Sequence, residues 1–241
     1  MALSPWVKPI AYCENDRYAQ AVLLQRMSTR EITRAPVWDD ITTLLPEMLP
    51  RNGIDIIYGG FPCQDISVAG TRRGLEGKRS GLFYEIIRLA TEIKPTFIFL
   101  ENVPGIRTKG LKEVTGEITQ LGYDCRWTIL SASNVGAPHV RKRWWLLAHA
   151  DRAKLWKQPR GKRWPSRENK IFTRNDGKEK PVASGIEKLY QNSWWDVESS
   201  VGRVANGIPH RSHRIRGLGN AVVPQCARQA FINLMSLGGI K

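Results

Sequence analysis

GIDIIYGGFPCQ, residues 53–64, is the stretch on which the reading of the fold turns. Ile54, Ile56 and Ile57 are apolar and β-branched, and glycines bound the run on both sides. That pattern predicts a short buried strand over 54–58. A Gly-Gly-Phe-Pro sequence cannot continue a strand regularly. Cys63 is therefore expected in the loop at the carboxyl end of the strand. In open α/β sheets that edge is where ligands bind and chemistry happens.

Working outward, residues 6–12 (WVKPIAY) read as a strand interrupted by a proline, and 16–27 as a helix with Asp16 near its start. The Gly- and Arg-rich residues 64–80 read as a basic loop. LFYEIIRLATEI (82–93) has the spacing of an amphipathic helix that Lys94-Pro95 ends. TFIFLENV (96–103) is a second buried strand, residues 111–121 a helix, and YDCRWTIL (123–130) and RWWLLAHA (143–150) two more strands. A last helix starts at about Pro224. Strands alternating with helices predict an α/β sheet, largely parallel. Residues 1–150 are expected to form one domain. Residues 151–200, rich in Lys, Arg, Trp and Pro, form a small basic region, and 201–241 return to complete the first domain.

The 241 residues are 41% hydrophobic, enough to bury a core, and this excludes a disordered tail. Lys and Arg total 37 against 22 acids, a formal charge of +15. Such an excess points to a polyanionic partner, with nucleic acid the default. The four cysteines are far apart, so neither a zinc CxxC pair nor a secreted disulfide framework is indicated. No stretch approaches eighteen apolar residues, and a cytoplasmic protein with no membrane partner is expected.

Three groups are expected at one edge of the sheet: the Cys63 thiol, the Glu101 carboxyl in FLENVPG, and Arg141 with Arg143 in GAPHVRKRWW. Taken singly, each has a bland reading as a buried thiol, a loop carboxylate or a solvated arginine pair. Together they suit attack on an electron-poor ring. A thiolate is a strong nucleophile favoured by nearby cations. A carboxyl group can hydrogen-bond or protonate a ring nitrogen as charge develops. An arginine can hold a carbonyl oxygen.

GGFPCQ, ENVPG, GAPHVRKRWW and GLGNAVVPQ, in that order, resemble the motifs of the DNA cytosine-5 methyltransferase family. The VGRVANGIPHR stretch (201–211) adds a phage- or prophage-like flavour. The resemblance implies a Rossmann-like sheet that binds S-adenosylmethionine (SAM), with a small target-recognition region over 151–200. It implies double-stranded DNA as partner, with the cytosine flipped out of the stack. By that resemblance Cys63 adds to carbon 6 of cytosine, Glu101 contacts ring nitrogen 3 and the exocyclic amine, and Arg143 or Arg141 holds the base. His139 stands where the family has glutamine. Gln64, Arg72, Arg73 and Arg79 fall in a loop like the one that closes over DNA. For SAM, Glu14 takes the ribose hydroxyls, Asn15 and Asp40 the adenine, Pro62 the adenine pocket, and Asn220, Ala221 and Val222 the methionine end.

The family normally opens with a strand and a Phe-x-Gly-x-Gly-Gly loop. Here no glycine precedes Gly53, and the chain enters at the second strand. The absent strand would lie at the centre of the sheet, so unpaired strand edges and half a SAM pocket are expected. The expectations are a truncated product with little activity, a split enzyme completed by a separate polypeptide, or a misassigned start codon. Two functions compete with an active DNA methyltransferase: a DNA-binding remnant without catalysis, and an RNA cytosine-5 methyltransferase.

Overall fold

The computed structural model describes residues 2–4, 6–50, 53–62, 81–150, 217 and 219–237. The small basic region, residues 201–216, Cys63, Gln64, Arg72, Arg73 and Arg79 lie outside the described residues. In chain order the elements are β1 (Tyr12–Cys13), α1 (Arg17–Ser28), β2 (Val37–Trp38), β3 (Ile56–Gly60), α2 (Gly81–Ile93), β4 (Phe97–Asn102), α3 (Ile106–Lys109), α4 (Leu111–Gln120), β5 (Tyr123–Ser131), β6 (Lys142–Ala150) and α5 (Pro224–Leu237).

Local chemistry explains several boundaries. Asp16 caps α1 by accepting the Ala19 N–H at 3.0 Å. Pro224 opens α5, where its missing N–H costs nothing. Gly122, at φ +83°, provides the left-handed turn between α4 and β5. The strand expected over 6–12 shrinks to Tyr12–Cys13. The N–H groups of Trp6 and Val7 both donate to the Leu3 carbonyl in a turn, and Pro9 has none to give. The short strand β2 and the one-turn helix α3 were not foreseen.

β3, β4, β6 and β5 form one four-stranded sheet in that order, and β1 and β2 form a separate parallel pair. β3 runs parallel to β4, but β6 is antiparallel to both β4 and β5. The sheet is therefore mixed, not largely parallel. The linking residues 132–141 are too few for the crossover that a parallel return needs, so β5 and β6 pair as neighbours. Among the described residues no strand joins β1 to β3.

Alternation along the strands sorts two apolar layers. Phe97, Phe99, Trp145 and Leu147 face α5 together with Leu3 and Trp6. Ile98, Leu100, Trp144 and Leu146 face α2, α3 and α4 through Phe83, Ile106, Val114 and Ile118. Phe231 of α5 joins the first layer. It meets Phe99 edge-on at 5.2 Å and stacks near Trp6 at 6.4 Å. No described helix is long and apolar enough to cross a membrane.

Phe231 is only 2% exposed, whereas Leu24 of α1 is 57% exposed. Phe231→Ala should cost about 3–5 kcal/mol of stability in urea unfolding, from lost burial plus a cavity. Leu24→Ala should cost less than about 1 kcal/mol. A Phe231→Ala cost near that of Leu24→Ala would contradict this packing.

Candidate active site

Glu101 lies near the carboxyl end of β4, on the face covered by α5. Its neighbours in register are Gly60 on β3 and Trp145 on β6. Because β6 runs antiparallel, its first residues lie beside the last residues of β4. Arg143 thus reaches Glu101, with Nε 2.7 Å from Oε1. The two side chains are only 18% and 16% exposed. Burial pushes the Glu101 carboxyl above its ordinary value, and the charges of Arg143 and Arg141 pull it only part of the way back.

Two residues absent from the sequence-derived set build this corner. A Cβ on Gly60 would lie 2.9 Å from Glu101 Oε2, so a larger residue would displace the carboxylate. Both glycines lie inside β3 instead of ending it, as the sequence had suggested, and only the second approaches the carboxylate. Asn102 is buried. Its Nδ2 donates to the Phe61 carbonyl at 3.0 Å, while its Oδ1 accepts the Val103 N–H at 2.8 Å. Phe61 packs on Phe83 of α2 at 5.2 Å. The chain two residues before Cys63 is thereby pinned to the end of β4. Asn102 adjoins Glu101 in the quoted motif, so a polar residue closing an apolar strand was the signal to follow.

The two arginines divide their contacts. Arg141 Nη2 donates to the carbonyls of Gly219 and Ala221, the latter at 2.6 Å. Arg143 Nη2 reaches the Gly219 carbonyl at 3.4 Å. Burial and the neighbouring Arg143 charge lower the Arg141 pKa. Arg141 Nε is buried without a hydrogen-bond partner. Arg143 is thus paired chiefly with the Glu101 carboxylate, and Arg141 with main chain.

A second cluster forms where β1 and β2 end. The Glu14 N–H donates to the Trp38 carbonyl at 2.9 Å, which ties the two strand ends together. Glu14 Oε1 accepts the Asp16 N–H at 2.9 Å, and a carboxylate has a second oxygen for further donors. Asn15 is exposed. Asp40 Oδ1 accepts both the N–H and the hydroxyl of Thr42, at 2.9 and 2.7 Å, and these bonds lower its pKa. Burial, then Asp40, Glu14 and Asp39, push the Cys13 thiol up to about 11. Glu14 and Asp40 thus both bear on the Cys13 thiol. Cys125 and Cys226 are likewise pushed up to about 11, chiefly by burial, so neither is poised as a thiolate.

Pro62, Asn220, Ala221 and Val222 are all exposed. A Cβ on Gly217 would lie 3.5 Å from the Tyr18 ring of α1. Gly217 thus lies beside α1, while Gly219 and Ala221 lie at Arg141. Among the described residues, no group of three or more His, Cys, Asp or Glu could hold a metal ion.

A family model for C-5 cytosine-specific DNA methylases matches residues 4–208. The chain is 39% identical over 141 residues to the Type II methyltransferase M.CviJI of Paramecium bursaria Chlorella virus IL3A, covering 58% of this chain and 37% of that protein. It is 39% identical over 114 residues to the Type II methyltransferase M.MspI of Moraxella sp, covering 45% of this chain and 27% of that protein. It therefore spans less than half the length of these relatives. The crystal structure of S. pombe Dnmt2 methyltransferase superposes with a TM-score of 0.55 at 17% identity, covering 96% of this chain and 92% of that one. That likeness concerns the fold, an α/β sheet of the Rossmann-like methyltransferase kind. With the family model matched over most of the chain, and with the sheet to carry it, the chain belongs to the C-5 cytosine-specific DNA methylase family.

Proposed function

We propose that this chain is a SAM-dependent DNA cytosine-5 methyltransferase acting on a cytosine flipped from duplex DNA. The observation that carries the reading is the Glu101 corner. A buried carboxyl with a raised pKa sits against Arg143 and Gly60, at the sheet edge to which Asn102 pins the approach to Cys63.

The chemistry follows from these groups. The Cys63 thiolate adds to carbon 6 of the ring. Glu101 hydrogen-bonds or protonates nitrogen 3, so electron density gathers at carbon 5 instead of being stranded on the ring nitrogen. Arg143 holds Glu101 in place and faces the base. Bound SAM would supply an electrophilic methyl group, its sulfonium becoming a neutral thioether as the methyl–sulfur bond breaks. Carbon 5, once methylated, would lose its proton to a base as the carbon–sulfur bond to Cys63 breaks and the aromatic ring is restored. Glu14 and Asp40 fit the ribose hydroxyls and the adenine amine, with Asn15 and Pro62 beside the adenine. Asn220, Ala221 and Val222 lie toward the methionine end. Gln64, Arg72, Arg73 and Arg79 face the DNA, and residues 151–200 serve as the target-recognition region of a catalytic domain built from 1–150 and 201–241.

A second reading rests on β1 and β2 forming a sheet separate from that of β3, β4, β6 and β5 among the described residues. In that reading the chain binds DNA without methylating it.

Calorimetry with SAM, followed by transfer of labelled methyl to duplex DNA, tests the first reading against the second. Micromolar SAM binding, with transfer that Cys63→Ala reduces to background, is the expected outcome. Binding without transfer to DNA but with transfer to RNA would overturn the substrate. Transfer by Cys63→Ala at the wild-type rate would overturn the chemistry.

The Glu101 pKa makes a separate prediction about pH. A carboxyl raised in the fold contributes stability that is fully present below its unfolded value and is lost as pH rises through the raised folded value. Wild type should therefore lose stability relative to Glu101→Gln as pH rises from below the ordinary 4.5 through the raised value. Paired denaturant titrations across that window measure it. A difference that is flat, or that moves toward wild type, would contradict the burial assigned to Glu101.

A further inference from the structure

The geometry points to Arg88 as a positioning residue for the cofactor, an inference that rests on the reading of Asp40 and Glu14 as SAM-binding acids. Arg88 lies on α2, the helix that follows residues 63–80 in the chain. Its Nη2 donates to the carbonyl of Ile41 at 3.0 Å and to that of Leu44 at 2.9 Å, across more than forty residues of sequence. Its Nε is held by Glu85 at 2.6 Å, and its Nη1 lies 3.7 Å from Glu92. The guanidinium is thus fixed on its own helix while its free edge grips a separate loop. A planar fork can do this and an ammonium cannot.

The gripped loop carries Asp40. The Asp40 carbonyl accepts the Thr43 N–H at 3.1 Å and the Thr43 hydroxyl at 3.0 Å. Trp38 Nε1 donates to the Thr43 hydroxyl at 2.9 Å. The Trp38 carbonyl in turn accepts the Glu14 N–H. Hydrogen bonds and the short main chain of the 38–44 loop together lead from Arg88 to both acids. The Asp40 side chain is exposed and accepts from Thr42 within its own turn, so its own packing does not hold it in place. The loop is held on its far side by the two carbonyls that Arg88 grips, beside the buried Leu44. Arg88 touches no reacting group, and its effect is to keep Asp40 and Glu14 in register for one ligand.

Calorimetric SAM titration and initial-rate kinetics on wild type, Arg88→Ala, Arg88→Lys, Glu85→Gln, Asp40→Asn and Asp40→Asn/Arg88→Ala test the inference. Arg88→Ala should bind SAM about tenfold more weakly, with kcat at saturating SAM changed by less than about twofold. Arg88→Lys should not restore affinity. Because Arg88 acts through Asp40, the double variant should bind about as weakly as the weaker single variant instead of showing the product of the two losses. Unchanged affinity in Arg88→Ala, or losses that multiply, would overturn the inference. If Arg88→Ala does not fold, Arg88→Lys and Glu85→Gln decide: weaker SAM binding supports the inference, and wild-type binding overturns it. Failure of wild type to bind SAM would remove the cofactor reading as well. Normal binding by all Arg88 and Glu85 variants would remove this inference alone.

Discussion

The antiparallel pairing of β6 with β4 is the constraint on which the rest of the site depends. It places the first residues of one strand beside the last residues of the other, so Arg143 meets Glu101 at 2.7 Å. A parallel β6 would carry both arginines to the opposite edge. The pairing also fixes the backbone from which Arg141 reaches the carbonyls of Gly219 and Ala221. Those residues lead directly into α5, whose Phe231 closes the first apolar layer. One choice of strand direction therefore joins the carboxylate, residues 219–222 and the helix that packs beneath them.

The Glu101–Arg143 pair is a poor device for stability. Two largely buried charges lose hydration, and their attraction often only balances that loss. The raised Glu101 carboxyl shows that burial outweighs the nearby guanidinium charges. A glycine is also spent at position 60 to admit the carboxylate, where a side chain would stabilise the strand better. These costs fall on one corner of the molecule and make sense if that corner must hold a carboxyl ready to share a proton. The apolar layers on both faces of the sheet are what sustain them.

Much of this was legible because it depends on local pattern. Asp16 caps the helix it precedes, the apolar spacing of 82–93 became α2, and Glu101 and Arg143 met as their positions at strand ends suggested. Strand direction was less legible, since an apolar run does not say which way it pairs. Only the shortness of residues 132–141 spoke against a parallel return. The N-terminal strand failed because the Leu3 carbonyl captured two of its N–H groups, a contact that periodicity cannot show. Gly60, Asn102 and Arg88 act across the fold, on a carboxylate or on carbonyls distant in sequence. In the sequence the first two looked like a strand stop and a motif neighbour, and Arg88 was one unremarked position of an amphipathic helix. The main-chain acceptors of Arg141 were equally hidden, because a motif position does not disclose which carbonyls a side chain meets.

The most direct measurement is covalent trapping on duplex DNA containing 5-fluorocytosine, in the presence of SAM. Fluorine at carbon 5 cannot leave as a proton does, so the bond to the attacking sulfur should persist. The account predicts a protein–DNA adduct that peptide mass spectrometry places on Cys63, formed by wild type and lost in both Cys63→Ser and Glu101→Gln. An adduct on another residue, or one that forms equally well without the Glu101 carboxyl, would contradict it.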